Sequence, residues 1–274
     1  MSQVGFAQIG ENQQPSPSIW ADCPNTLLND KGLGYFAHED FLGAAVSAAM
    51  LPTITVGGGK FSFDGDTDTV FSLKASEQGG YLDVETDGDD NDAAAIFTEP
   101  LGPITRNSGK KFWFEARVEL GGVAEDQGFF VGLVEEAGAS RDVLADDVGT
   151  DGVIGESLIG FLVDNEDDNA FKVVYRKDAG TVVTLVADAT NSTAIPLASR
   201  ASLLADTEVK VGLRFDGRTK LYFYVNGYEV AAQDVDSTLD QSKNYCAILA
   251  IKTGAAAAES FAADWVRYGF QARN

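Results

Sequence analysis

The sequence predicts an all-β fold, a two-layer sandwich preceded by an extended N-terminal arm. Three observations carry this. Short runs of alternating apolar and polar residues recur from Val56 onward, bounded by Gly, Asp and Asn. Two dipeptides, Asp216-Gly217 and Asn226-Gly227, stand between such runs, where hairpin turns need positive φ angles. The chain is rich in Gly (29) and Phe (17), which suits short strands joined by tight turns. Its 274 residues fit one large sandwich plus a terminal extension, since single sandwiches commonly reach about 200–250 residues.

Residues 1–52 read as the arm and 53–274 as the sandwich. The arm is polar and proline-marked through "ENQQPSPSIWADCPNTLLND", with isolated large groups at Trp20, Leu27 and Leu28. "GYFAHEDF" follows and brings Tyr35, Phe36 and Phe41 close together. Trp20, Tyr35, Phe36 and Phe41 are expected to anchor the arm on its own sandwich or on a neighbouring subunit. "FLGAAVSAAMLP" has helix-forming composition and a stop at Pro52, so it reads as one short helix.

The sandwich runs follow in order. "GKFSFDG", "TVFSLKA", "GGYLDVETD" and "DAAAIFTEP" read as short strands. "KKFWFEARVEL" is the strongest strand. Phe112, Phe114, Ala116, Val118 and Leu120 fall on one face, with Lys111, Trp113, Glu115, Arg117 and Glu119 on the other. "QGFFVGLVEE", "ESLIGFLVDN", "NAFKVVYRKDAG" and "TVVTLVADAT" continue, and "GASRDVLADDVGTDG" between them reads as a polar loop or short helical excursion. "TEVKVGLRFDGRTKLYFYVNGYEVAAQ" supplies three strands and two turns; "NYCAILAIKTG" and "AESFAADWVRYGFQ" supply the last two. No fixed-period repeat is visible, which disfavours a propeller or solenoid.

Bulk chemistry excludes several functions. The net charge is −22, from 42 acids against 20 bases, so no cationic face is expected for nucleic acid or an anionic membrane. No apolar run of roughly 18 residues crosses a membrane. "MSQVGFAQIGENQQPSPS" lacks the basic and apolar regions of a secretory signal, so the chain is expected in a cytosol, or released by a route such as lysis. Cys23 and Cys246 share no motif; free thiols are expected, with one long-range disulfide as the alternative. One histidine, His38, builds neither a histidine metal site nor a Ser-His-Asp triad, and no G-x-S-x-G surrounds a serine. "VGGGK" lacks the spacing of a phosphate-binding loop.

From Lys110 to Phe270 the chain resembles the concanavalin A-like lectin and glucanase superfamily, including laminin-G-like domains. "FWFEARVEL" before "GFFVGLVEE", then "VKVGLRFDGRTKLYFYVNGYEV", then "FAADWVRYGF", stand in that superfamily's order. The resemblance implies a concanavalin-like jelly-roll β-sandwich, its closing strand pairing back near the start of the chain. "SIWADCP…GYFAHEDF" ahead of such a sandwich resembles structural proteins of tailed bacteriophages, some of which are capsid decoration or cement proteins.

Candidate chemistry is sparse. The superfamily's glucanases carry E-x-D-x-x-E on one strand; this chain has Glu115, Arg117 and Glu119 instead. An Arg between two acids is expected to pair with both and lower their pKa values, on a charged, solvated face. Asp83, Glu85 and Asp87 also alternate but run into an acidic turn. Calcium takes about six to eight oxygens, so acidic loops are its candidate hosts. Asp64, Asp66 and Asp68 in "DGDTDT" are the candidate ligands, ahead of "DGDDND" and "DNEDDN"; the alternative is that these residues simply make turns. For a glycan, Trp113, Tyr222 and Tyr224 are the outward aromatics, although such a row also suits a protein interface.

The expectation is therefore a non-enzymatic virion structural protein, a capsid decoration or cement protein without a cofactor. Its partners would be the major capsid protein and its own copies as a homotrimer, since decoration proteins often sit on threefold axes. The alternatives are a lectin-like glycan-binding module and, after it, a glycan-cleaving enzyme.

Overall fold

The computed structural model describes residues 14–28, 32–41, 54–56, 59–74, 80–122, 127–146, 156–164, 170–178, 180–196 and 207–272. These form two antiparallel sheets packed face to face. The front sheet runs β14 (Tyr228–Asp234), β13 (Lys220–Val225), β12 (Val209–Phe215), β7 (Phe112–Leu120), β16 (Ser260–Gln271), β5 (Leu82–Glu85), β4 (Val70–Leu73). β1 (Gly34–Glu39) also pairs with β16, beyond the end of β5. The back sheet runs β11 (Val183–Val186), β10 (Lys172–Arg176), β9 (Leu158–Val163), β8 (Gln127–Glu135), β15 (Tyr245–Thr253), β6 (Ala93–Thr98), β3 (Gly59–Gly65), β2 (Ile54–Val56).

Strict alternation on β7 decides the layering. Phe112, Phe114, Ala116, Val118 and Leu120 enter the inter-sheet core with Phe129, Val131 and Leu133 of β8 and Leu249 and Ile251 of β15. Aromatic rings bridge the sheets, with Phe129 and Phe261 at 5.1 Å and Phe161 and Phe223 at 6.1 Å between centroids. Each fully buried side chain of this kind stabilises the fold by about 1.5–3 kcal/mol. The turn between β13 and β14 is the two-residue kind that the sequence predicts: Asn226 has φ 49° and Gly227 φ 82°. The turn at Asp216-Gly217 is longer. β12 ends at Phe215 and β13 begins at Lys220, and the Asp216 carboxylate accepts the N–H groups of Arg218, Thr219 and Lys220.

One boundary differs from the sequence reading. "GYFAHE" is strand β1, paired along its whole length with β16, so the sandwich begins at Gly34 rather than at residue 53. The helix expected over "FLGAAVSAAMLP" lies outside the described residues except for Phe41. The anchoring aromatics also turn inward. Phe41 is 0% exposed, sits in the core with its ring 6.2 Å from Phe61, and donates its N–H to Glu39 Oε1. Trp20 and Phe36 pack on each other, edge to face at 6.0 Å. Of the four expected anchors only Tyr35 faces solvent, 60% exposed. Trp20, Phe36 and Phe41 thus pack on the chain's own sandwich.

Both sheets also have covered outer faces. Val143 and Leu144 of the 136–146 loop lie over Phe130, Leu158 and Cys246 on the back sheet. Residues 14–28 lie over the front sheet. Cys23 therefore belongs to one outer face and Cys246 to the other, and both thiols are free.

Candidate functional site

The outward row of β7 is Trp113, Glu115, Arg117 and Glu119. The sequence suggests a solvated charged face; all four are buried. The cover comes from two sources, one at each end of the row.

At the Trp113–Glu115 end, residues 14–28 form a strap. A single helical turn, α1 (Pro17–Trp20), starts with Pro, whose missing N–H costs nothing in a first turn. The turn aims Ile19 and Trp20 at the sheet. Ile19 and Leu27 bury against Trp113 and Tyr224. Gly212 is the notch that admits Ile19, since a Cβ there would stand 2.5 Å from Ile19 Cδ1. Glu115, 0% exposed, accepts the Ser16 N–H on both oxygens at 3.1 and 2.9 Å and the Trp20 Nε1–H at 2.7 Å. Asp22 accepts from Lys111 Nζ at 2.7 Å, Trp113 Nε1 at 2.9 Å and Arg214 at 2.6 Å. The Arg267 guanidinium lies 4.3 Å from the Trp20 ring and 4.9 Å from Phe36.

The two acids respond in opposite directions. Burial pushes the Glu115 carboxyl up, against the pull of the Ser16 and Trp20 donors and Lys210. Burial also opposes ionisation of Asp22, but bonds from Arg214, Lys111 and Trp113 outweigh it and hold Asp22 at about 2.

At the Glu119 end the cover is ionic. Arg117 pairs with Glu208 and Asp264, not with Glu115 or Glu119 as its position between them suggests. Acids two places along a strand lie about 7 Å away, whereas groups on adjoining chain segments come closer. Lys74 pairs with Glu119, and the Tyr81 hydroxyl lies 3.0 Å from both Glu119 Oε2 and Glu208 Oε1. A phenol has one proton, so Tyr81 donates to one of these acids, and a second bond needs a proton on the other.

Beside this network is a cavity of about 200 Å³ lined by Lys74, Asp83, Glu119, Gly121, Ser260 and Ala262. Asp83 and Glu119 are both registered to Ala262, on β5 and β7, so they flank a small floor residue. Burial pushes Asp83 up, with Lys74 opposing and Glu85 and Glu119 reinforcing. The cavity offers hydrogen-bonding groups for a small polar ligand. Both Glu119 oxygens are already bonded, which leaves Asp83 as its freer carboxylate.

The calcium candidates do not assemble. Arg141 occupies their loop: its N–H donates to Asp64 at 3.0 Å and its guanidinium pairs with Asp66 at 3.1 Å. Asp66 also accepts the Ala93 N–H, and Asp68 sits at φ 70° in the turn. A guanidinium at the centre supplies the positive charge that a cation would bring. Among the described residues no group of three or more His, Cys, Asp or Glu is placed to hold a metal ion. Of the proposed glycan aromatics, Trp113 and Tyr224 lie under the strap and Tyr222 packs at its margin.

Sequence reasoning identified Trp113, Glu115, Arg117, Glu119 and Asp83 as one-sided residues but missed their partners Ser16, Asp22, Lys74, Tyr81, Glu208 and Asp264. Two signals were available. Ile19 and Trp20 are large groups in a polar arm, and Gly212 interrupts an apolar strand, which marks close approach.

No protein-family model matches the chain, and no curated protein matches it in sequence. Solved structures do. A protein of unknown function from Shewanella oneidensis MR-1 superposes with TM-score 0.54 at 10% identity, covering 86% of each chain. Peanut lectin superposes with TM-score 0.52 at 14% identity, covering 81% of this chain and 95% of the lectin. An endo-1,3-β-glucanase from Streptomyces sioyaensis gives TM-score 0.52 at 12% identity, covering 86% of this chain and 96% of the enzyme. Lectins and glucan-cleaving enzymes alike share the architecture, so the likeness carries fold and not activity: the chain has a concanavalin-like β-sandwich fold.

Proposed function

We propose that the chain is a non-enzymatic structural protein of a tailed-bacteriophage virion, a decoration or cement protein on the capsid surface. One observation supports the non-enzymatic part: the strap and the ion pairs cover the outward row of β7. Glu115 is sealed, and Arg117 and Glu119 are already paired. The resemblance of the leader to phage structural proteins supports the setting. In this reading the body is rigid and acidic, and the strap fixes where the leader leaves the sandwich. Tyr35 is the aromatic left available to the major capsid protein or to another copy. Imaging purified particles tests it. The chain should decorate the capsid, and particles lacking it should break at lower temperature. Its absence from particles, or equal heat resistance without it, would refute the reading.

A second reading is glycan binding. The cavity over Ala262, with Asp83 and Ser260 on its walls, favours it. A glycan array with the wild-type chain and Asp83→Asn tests this reading: binding should appear and then vanish in the variant.

A further inference from the structure

We infer that the groove over the front sheet is a segment-binding site that accepts residues 14–28 of a second copy of this chain as well as its own. The groove is built on β7, β12, β13 and β16, interior strands held by pairing on both sides. The strap, in contrast, contributes no strand. It is held as a docked peptide is held, by an apolar knob, two indole N–H groups and one carboxylate. Ile19 fills the notch at Gly212, and Trp20 covers Arg267. Asp22 is the one charged residue between 14 and 28, and it meets two cations, Lys111 and Arg214. That is charge complementarity specific to this segment.

The bonds between strap and groove join residues from 89 to 209 positions apart, whereas six positions separate Leu28 from Gly34 at the start of β1, so an exchanged strap reaches a copy whose groove adjoins its own β1. The apolar cluster beneath it, Ile19, Leu27, Trp113 and Tyr224, is separate from the inter-sheet core. Undocking therefore leaves the sandwich intact, as a local opening below the global unfolding free energy. An open groove exposes Trp113 and Tyr224, and an identical segment from a neighbour restores every contact. The balance between own and exchanged straps follows the local concentration of copies. The inference does not require the virion reading; crowding on any surface would promote it.

The full-length chain tests it without substitution, because Lys111 Nζ lies 2.7 Å from Asp22 Oδ2. Heavy-isotope-labelled and unlabelled chains are mixed, incubated under native conditions, coupled with a zero-length carbodiimide and digested. The expected result is Lys111–Asp22 linked peptides carrying one heavy and one light partner, in a fraction that rises with protein concentration. Like-labelled pairs alone at every concentration would overturn the inference, and so would no coupling between these two residues.

Discussion

Replacing Ile19 by Ala should open the strap without unfolding the sandwich. Ile19 is buried, with its Cδ1 in the notch over Gly212, and it belongs to the cluster outside the inter-sheet core. The change removes three carbon groups from a buried site. At about 0.8 kcal/mol each the loss is about 2–3 kcal/mol, the low end of the range for buried Ile→Ala. That lowers the closed-to-open ratio by about 30- to 160-fold, at 1.36 kcal/mol per tenfold. Hydrogen exchange of the strap amides is the assay. Ser16 N–H is bonded to Glu115, and Ala21 N–H to the Pro17 carbonyl at 2.8 Å. Both should exchange faster by that factor, while amides in β7, β8 and β15 keep their rates. Unchanged strap exchange would mean that Ile19 does not hold the strap. Equal acceleration in the core strands would mean that the strap is part of one cooperative unit.

Three further outcomes are expected. Asp22 is held at about 2, so its contribution is present above the ordinary carboxylate pKa and is lost as pH falls toward 2. Strap protection relative to intrinsic exchange should fall over that acid window in the wild type, and Asp22→Asn should show the lowered protection at every pH. Asp92 is pushed up to about 6, by burial first and then by Asp87, so its contribution is present at low pH and lost as pH rises through 6. Asp92→Asn should flatten the change in melting temperature between about pH 4 and 7, a window that runs from the ordinary carboxylate range to that raised pKa. Calcium should leave the melting temperature unchanged, because Arg141 already neutralises Asp64 and Asp66; a rise with calcium would show a site elsewhere in the chain.

The strands were legible because their periodicity is local. The β7 run alternates through nine residues, and its apolar set is the set that enters the core. Partners were not legible because they come from far away. The donors to Glu115 lie 95 and 99 positions earlier, and the Arg141 amide that meets Asp64 lies 77 positions later. Alternation says which side of a strand a residue faces; it says nothing about what covers that side. β1 escaped notice for a related reason. Its aromatics at 35 and 36 are adjacent and do not alternate, and its strand character comes from pairing with β16. The loop of Asp64, Asp66 and Asp68 read as a turn first and a calcium host second, and Arg141 is what occupies it.

The leader's own residues seal the Trp113–Glu115 end of the front sheet's outer face. Solvent exchange of the tryptophan indole N–H groups, followed by NMR in the full-length chain, tests it most directly. Trp20 Nε1 is bonded to Glu115 at 2.7 Å and Trp113 Nε1 to Asp22 at 2.9 Å, so both should be protected. If both indoles exchange as fast as free tryptophan, the strap is not docked and the account fails.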